Sequence, residues 1–167
     1  AMIASLVGSE MCIRDSVRIF QNLSIASPTL TTATPSDNST AVAVDSNIVL
    51  NFSEAVDVET GNIIIKKTSD DATVETIDIT SSQVTGTGTN QITINPTNNL
   101  DSSTEYYVLI DATSFDDASG NSYAGITDTK ALSFTTADII APTLDSSSPT
   151  DNSTAVAVDS NIVLNFS

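Results

Sequence analysis

Residues 37–53 read DNSTAVAVDSNIVLNFS, and residues 151–167 read the same seventeen letters again. The match extends backwards, with substitutions, to Pro28 in the first copy and Pro142 in the second. A spacing of 114 residues, from position 37 to position 151, is too long for one unit of a solenoid but suits one small β-sandwich domain. The sequence therefore predicts one complete repeat and the start of a second.

The repeated segment contains the clearest strand signal in the chain. Ile48, Leu50 and Phe52 alternate with polar or smaller residues, so they fall on one face of an extended strand. Similar alternation, bounded by turn residues such as Gly, Asn and Asp, predicts further strands. With the first, they make about seven, the others being residues 28–35, 63–67, 74–80, 91–95, 105–111 and 130–136. Seven short strands at this spacing predict an all-β, two-sheet antiparallel sandwich.

The amino-acid composition argues against several classes of function. The net charge is −16 with five basic residues, which disfavours nucleic acid and anionic membranes as partners because both need a positive surface. Histidine is absent and Cys12 is the single cysteine, so Cys/His zinc sites and His-dependent catalytic triads or dyads cannot form. The acidity fits either attraction of divalent cations or a solvated acidic surface.

The N-terminal residues 1–27 differ in character from the repeat. Residues 1–16, AMIASLVGSEMCIRDS, hold the cysteine and both methionines and resemble a translated linker rather than an evolved segment. No apolar run approaches the roughly 20 residues of a membrane span. We expect a non-domain tail here, and any export signal upstream of it.

Several stretches together resemble the bacterial Ig-like domains. They are NIVLNFSEAVD (47–57), LDSSTEYYVLID (100–111), DDASGN (116–121) and ALSFTTAD (131–138). Such domains repeat in tandem within large surface adhesins, S-layer-type proteins and secreted multidomain proteins. The resemblance implies a complete Ig-like β-sandwich over residues 28–141 and a truncated second one over residues 142–167. It also implies that Tyr106 is the tyrosine packed near the sandwich corner.

Three functions are consistent with that resemblance. The first is a non-enzymatic spacer repeat of a secreted or cell-surface, adhesin-like protein, whose partners are neighbouring Ig-like repeats. The second is a module that binds a cell-surface glycan or protein. Here Tyr107 is expected to face outward, although a single tyrosine is not a binding platform. The third is an accessory domain of a secreted hydrolase.

Calcium is the one cofactor that the acidic residues suggest, since it prefers carboxylate and carbonyl oxygens. One candidate cluster is the turn holding Asp116, Asp117 and Asn121, which is equally well explained as a hairpin stabilised by its own side chains. The other is a cluster at one end of the domain that would stiffen the joint between repeats. Its members are Glu54, Asp57, Asp111 and Asp138. The same carboxylates are not expected to act as a catalytic pair.

Residues 142–167 supply only the first strands of a sandwich. Two strands cannot bury both faces of a sheet, so this piece is expected to be marginal by itself. Ile162, Leu164 and Phe166 would then lack a covering layer, which predicts aggregation or docking onto the complete domain.

Overall fold

The computed structural model describes residues 26–167, and these form twelve strands and no helix. No segment of this part of the chain is therefore a helix that could cross a membrane. The N-terminal tail was predicted over residues 1–27. Residues 1–25 of it lie outside the described part of the chain. Ten strands build the sandwich: β1 (Leu30–Thr34), β2 (Ser39–Val42), β3 (Ile48–Val58), β4 (Asn62–Lys67), β5 (Thr73–Asp78), β6 (Val84–Thr85), β7 (Thr89–Ile94), β8 (Glu105–Ile110), β9 (Phe115–Asp116) and β10 (Ser133–Thr136). A separate hairpin follows, made of β11 (Leu144–Ser148) and β12 (Val163–Phe166).

The ten strands lie in two sheets. The first has the order β1-β3-β7-β6, with β9 also paired to β3, and the second has the order β2-β10-β8-β4-β5. All pairings are antiparallel except that of β2 with β10, which is parallel. The prediction of an all-β, antiparallel sandwich is confirmed.

The core lies between the inner faces of the sheets. On β3, Ile48, Leu50 and Phe52 are at most 2% exposed, which confirms the inward face predicted from their alternation. The ring of Phe52 packs against Phe115, with centroids 5.1 Å apart, and edge-on against Tyr123 at 5.2 Å. This aromatic cluster holds β9 and the loop after it onto the first sheet.

Tyr106 occupies the corner position that the family resemblance implies. Its side chain is fully buried, and its hydroxyl accepts a hydrogen bond of 2.9 Å from the backbone N–H of Asp101. The turn that leads into β8 is thereby fixed to the strand itself.

The structure adds to the predicted strands. All seven are present, β2, β6 and β9 are additional to them, and β3 runs on to Val58, past the regular alternation that ends at Phe52. β6 and β9 have two residues each, too few to show alternation. β2 is irregular because Ala41 has a φ of 55°, and the register with β10 shifts there.

The second hairpin reproduces the first in register. β11 pairs with β12 from Leu144↔Phe166 to Ser148↔Val163, as β1 pairs with β3 from Leu30↔Phe52 to Thr34↔Val49, with the irregularity at the same place. The environment differs, because Ile162, Leu164 and Phe166 are 77%, 49% and 59% exposed. These three side chains are not docked onto the sandwich.

Candidate functional site

Two of the predicted calcium ligands face each other across a strand pair. Asp57 on β3 is the direct partner of Asp116 on β9, and directly opposed side chains share one face of a sheet. Asp57 is exposed and accepts a hydrogen bond of 3.3 Å from the hydroxyl of Thr87. Atom Oδ1 of Asp116 is buried and has no hydrogen-bond partner among the described residues. This facing pair of carboxylates therefore contains one buried oxygen without a hydrogen bond.

The neighbouring Asp117 has a different role, because its carboxylate closes the turn after β9. Oδ1 accepts hydrogen bonds from the backbone N–H groups of Ser119 and Asn121, both at 2.8 Å, and Oδ2 accepts one from the Asn121 amide at 2.8 Å. The Asn121 side chain first, and then its backbone, hold the pKa of Asp117 below its ordinary value of 3.8. Both oxygens of Asp117 therefore stabilise the hairpin, which is the structural alternative to calcium binding for this turn.

Asp111 is held at the end of β8 by the start of β4. Its Oδ2 accepts hydrogen bonds from Asn62, from the backbone N–H at 2.8 Å and from the side-chain amide at 3.3 Å. Gly61 permits this approach. It has a φ of 129°, and a Cβ built on it would lie 2.9 Å from the Cβ of Asp111.

The structure does not assemble the predicted joint cluster. β8 and β10 are antiparallel, with Thr135 opposite Glu105, so Asp138 after β10 and Asp111 after β8 lie at opposite ends of the sandwich. Glu54 lies within β3 because that strand continues to Val58. Among residues 26–167 no group of three or more His, Cys, Asp or Glu side chains is placed to hold a metal ion. The expectation of one four-carboxylate site at the joint was wrong, because it assumed the wrong strand end.

Asp138 instead fixes the linker to the sandwich. Its Oδ1 accepts hydrogen bonds from the Ser102 hydroxyl at 3.3 Å and from the backbone N–H of Ile140 at 2.9 Å. The Ser102 oxygen also accepts a hydrogen bond of 3.0 Å from the N–H of Ile139, and the N–H of Ser103 donates to the carbonyl of Ala137 at 3.2 Å. Sequence reasoning did not single out Ser102. The hydroxyl-rich turn just before β8 was the available signal.

Tyr107 is not the exposed aromatic that strand alternation predicted. It lies on the outer side of β8 but is only 3% exposed, and its hydroxyl donates a hydrogen bond of 3.0 Å to Asp71. The turn that carries Asp71 therefore covers it. Tyr107 lines an open groove of about 440 Å³ together with Glu105 and Lys130. So little of its ring is accessible that it cannot stack on a sugar.

Comparison with known proteins gives the family to which the chain belongs. The sequence model of the bacterial Ig-like domain matches residues 25–136, and the chain belongs to that family. No curated protein matches it in sequence.

Similar solved structures include CopC from Methylosinus trichosporium OB3b, at 16% identity and a TM-score of 0.49, covering 68% of this chain and 97% of that one. They also include the bacterial S-layer protein SbsC, as rSbsC(31-844) and as its N-terminal part, each at 15% identity and a TM-score of 0.44 over 73% of this chain. The alignments span 16% and 28% of those two S-layer chains. All three likenesses are distant, so the family assignment rests on the sequence model.

Proposed function

We propose that this chain is a non-enzymatic spacer repeat of a secreted or cell-surface multidomain protein of the adhesin type. Its partners in that role are the neighbouring Ig-like repeats of the same chain. The observation that carries the proposal is the anchored linker, in which Ser102 and Asp138 bind residues 137–140 to the turn before β8. A linker held in this way limits the directions in which the next repeat can lie.

The absence of histidine and the involvement of the acidic side chains in turns support a structural role over a catalytic one. The repetition of residues 37–53 at 151–167 supports an array of similar units, in which each unit contacts only its neighbours. The acidic surface keeps such an array soluble through mutual repulsion.

The test is the shape of a two-repeat protein, residues 28–141 joined twice in sequence, in small-angle X-ray scattering. The wild type should give a narrow distribution of maximum dimensions close to two sandwiches end to end. Replacing both anchors, Ser102→Ala with Asp138→Ala, should broaden that distribution. Ser69→Ala, an exposed hydroxyl in the turn after β4, is the control and should leave it unchanged. A wild type as broad as the double variant would contradict the spacer role.

Calcium binding is a second proposal, favoured by the unsatisfied Oδ1 of Asp116 opposite Asp57. A buried polar atom without a partner calls for an explanation, and a cation between the two carboxylates supplies one. Thr87, whose hydroxyl is 3.3 Å from Asp57, is a further oxygen at this place. The ion would connect β3 to β9 rather than stiffen the linker.

Thermal melting with calcium and with chelator tests this proposal. Calcium should raise the Tm of the wild type. Asp116→Asn should remove the response, because it removes one of the two facing carboxylates. Glu59→Gln, at an exposed position directly after β3, should keep the response. A wild-type Tm that is equal in both buffers would contradict calcium binding at this site.

A further inference from the structure

The outer face of the first sheet carries two rows of uncharged side chains. Direct partners on neighbouring strands share one side of a sheet, so each row runs across the strands. The rows together are called the uncharged face here. The first row is Thr34, Val49, Thr93 and Thr85, and the second is Thr32, Asn51 and Gln91.

The lack of charge distinguishes this face from the rest of the molecule. The chain has a net charge of −16. The outer face of the second sheet carries Asp78, Lys66 and Glu105, on β5, β4 and β8. The acidic residues of the sandwich therefore lie around the uncharged face and not on it.

The polar side chains of the second row are joined to one another. The amide nitrogen of Gln91 donates to the Asn51 side-chain oxygen at 2.9 Å, and the Asn51 amide nitrogen donates to the Thr32 hydroxyl at 3.0 Å. These bonds fix the orientation of the three side chains. Thr32 and Gln91 are exposed, and hydroxyl and amide groups both donate and accept hydrogen bonds. A partner would meet donors and acceptors at fixed places.

The second copy repeats this arrangement. The Asn165 amide donates to the Ser146 hydroxyl at 2.9 Å, as Asn51 does to Thr32. Asp145, which replaces a threonine, lies at the irregularity of β11, outside the rows. Where the rows themselves differ, one hydroxyl replaces another: Ser146 stands for Thr32 and Ser148 for Thr34. The same groups on successive repeats suit a partner that is itself a repeating polymer.

We propose that the uncharged face binds a neutral, β-1,4-linked polysaccharide whose chain lies across the strands. Sugar hydroxyls donate and accept hydrogen bonds as the side chains of the two rows do. Neighbouring strands are about 4.8 Å apart, close to the length of one sugar unit in such an extended chain. Successive sugars can therefore contact successive strands along one row.

Two other kinds of partner fit this face less well. A polyanion is repelled by the net charge of −16. A protein partner usually gains most of its affinity from buried Trp, Tyr and Arg anchors, and the two rows contain none of these residues. A neutral polymer of hydroxyl groups avoids the charge penalty and needs no such anchor.

This activity is additional to the spacer role and does not depend on how rigidly the repeats are joined. Contacts to one face are few, and the simultaneous contacts of several repeats with one polymer chain would add up to firm binding. A failure to bind polysaccharide would leave the scattering result for the two-repeat protein unaffected.

The test is cosedimentation of the 167-residue chain with insoluble cellulose, chitin and mannan, three neutral β-1,4-linked polysaccharides, at low salt. The wild type should bind at least one of them. It should not bind insoluble carboxymethylcellulose, which has the cellulose backbone and added carboxylates. A wild type that binds none of the three neutral polymers would overturn the proposal. Equal binding to cellulose and carboxymethylcellulose would overturn it as well.

A pair of double variants tests the location. Gln91→Ala with Thr93→Ala should raise the dissociation constant about tenfold or more, since hydrogen bonds to the sugar are lost. Thr76→Ala with Thr135→Ala removes two polar side chains from the outer face of the second sheet and should bind like the wild type. Thermal melting checks that both variants are folded. An equal loss in the two would place binding elsewhere and contradict the proposal.

Discussion

The carboxylate of Asp37 accepts two hydrogen bonds from Ser133, one from the backbone N–H at 2.9 Å and one from the hydroxyl at 3.0 Å. The N–H of Asn38 donates back to the carbonyl of Ser133 at 2.8 Å. The first residue of the repeated segment is thus joined to the first residue of β10, 96 positions later. In the second copy, Asp151 bonds only its neighbour Asn152 among the described residues.

The two copies give a matched pair of substitutions. Asp37→Ala should lower the free energy of unfolding of the sandwich by about 1–2 kcal/mol, because hydrogen bonds to a charged acceptor are lost. Asp151→Ala makes the same chemical change and should cost less than about 0.5 kcal/mol. Urea denaturation of both variants measures the difference. Equal effects would show that Asp37 acts through local turn structure and not through Ser133.

The corner bond of Tyr106 predicts a second effect. Tyr106→Phe leaves the ring in place and removes the acceptor for the N–H of Asp101, so the free energy of unfolding should fall by about 1 kcal/mol. Tyr107→Phe also loses a hydroxyl bond, but its partner Asp71 is exposed and can bind water instead. It should cost less in the same denaturation experiment. A larger loss for Tyr107→Phe than for Tyr106→Phe would contradict a stabilising role for the hydrogen bond of Tyr106.

Glu75 ties the edge strand β5 to the segments before β6 and after β7. Its carboxylate accepts hydrogen bonds from the Gln83 amide at 2.8 Å and from the Thr97 hydroxyl at 2.7 Å, with the Thr97 N–H at 3.1–3.2 Å. Partial burial by itself raises the pKa of Glu75, but the bonds from Thr97 and Gln83 outweigh it and lower the pKa below 4.5.

This lowered pKa predicts how stability depends on pH. Because the folded pKa lies below the unfolded one, the contribution of Glu75 is fully present above pH 4.5 and is lost as the pH falls through the folded value. Glu75→Gln should therefore cost about 1–2 kcal/mol at neutral pH, and the cost should shrink in acid. Glu59→Gln makes the same chemical change at an exposed position and should cost less than about 0.5 kcal/mol. Denaturation at several pH values measures both, and a pH-independent gap would contradict the charge-based account.

The repeated phenylalanine distinguishes the environments of the two hairpins. Phe52→Ala removes a 2%-exposed ring from the aromatic cluster and should cost about 3–5 kcal/mol. Phe166→Ala, at the same place in an identical sequence, should leave the melting of the sandwich nearly unchanged because its ring is 59% exposed. Calorimetry of the two variants decides this. A large effect of Phe166→Ala would mean that the second hairpin packs onto the first domain.

The strands that sequence could predict are those whose side chains alternate over enough residues. Ile48, Leu50 and Phe52 marked β3 because burial on one face demands that spacing. The end of β3 could not be found in this way, since SEAVDV pairs partly with β9, a two-residue strand with no signal of its own. Tyr107 failed as an exposed residue because alternation gives the face of a side chain but not the loop that covers it.

The acidic residues also show which features local sequence can predict and which depend on strand pairing. Residue type alone predicted that Asp117 and Asn121 would stabilise a turn or bind an ion, and the turn uses both carboxylate oxygens. Asp138 and Asp111 lie at opposite ends of the sandwich because β10 and β8 run in opposite directions. No local sequence pattern contains that direction. The facing pair Asp57 and Asp116 depends likewise on a strand pairing between distant segments.

The parallel pairing of β2 with β10 has a mechanical consequence. β2 belongs to the N-terminal part of the sandwich and β10 to its C-terminal part, and bonds such as Ala137 N–H to Val42 C=O, at 2.7 Å, join them. Tension applied between the two ends pulls these strands in opposite directions along a shared axis. Their hydrogen bonds are then sheared together instead of being opened one after another, so the domain should yield abruptly and at high force.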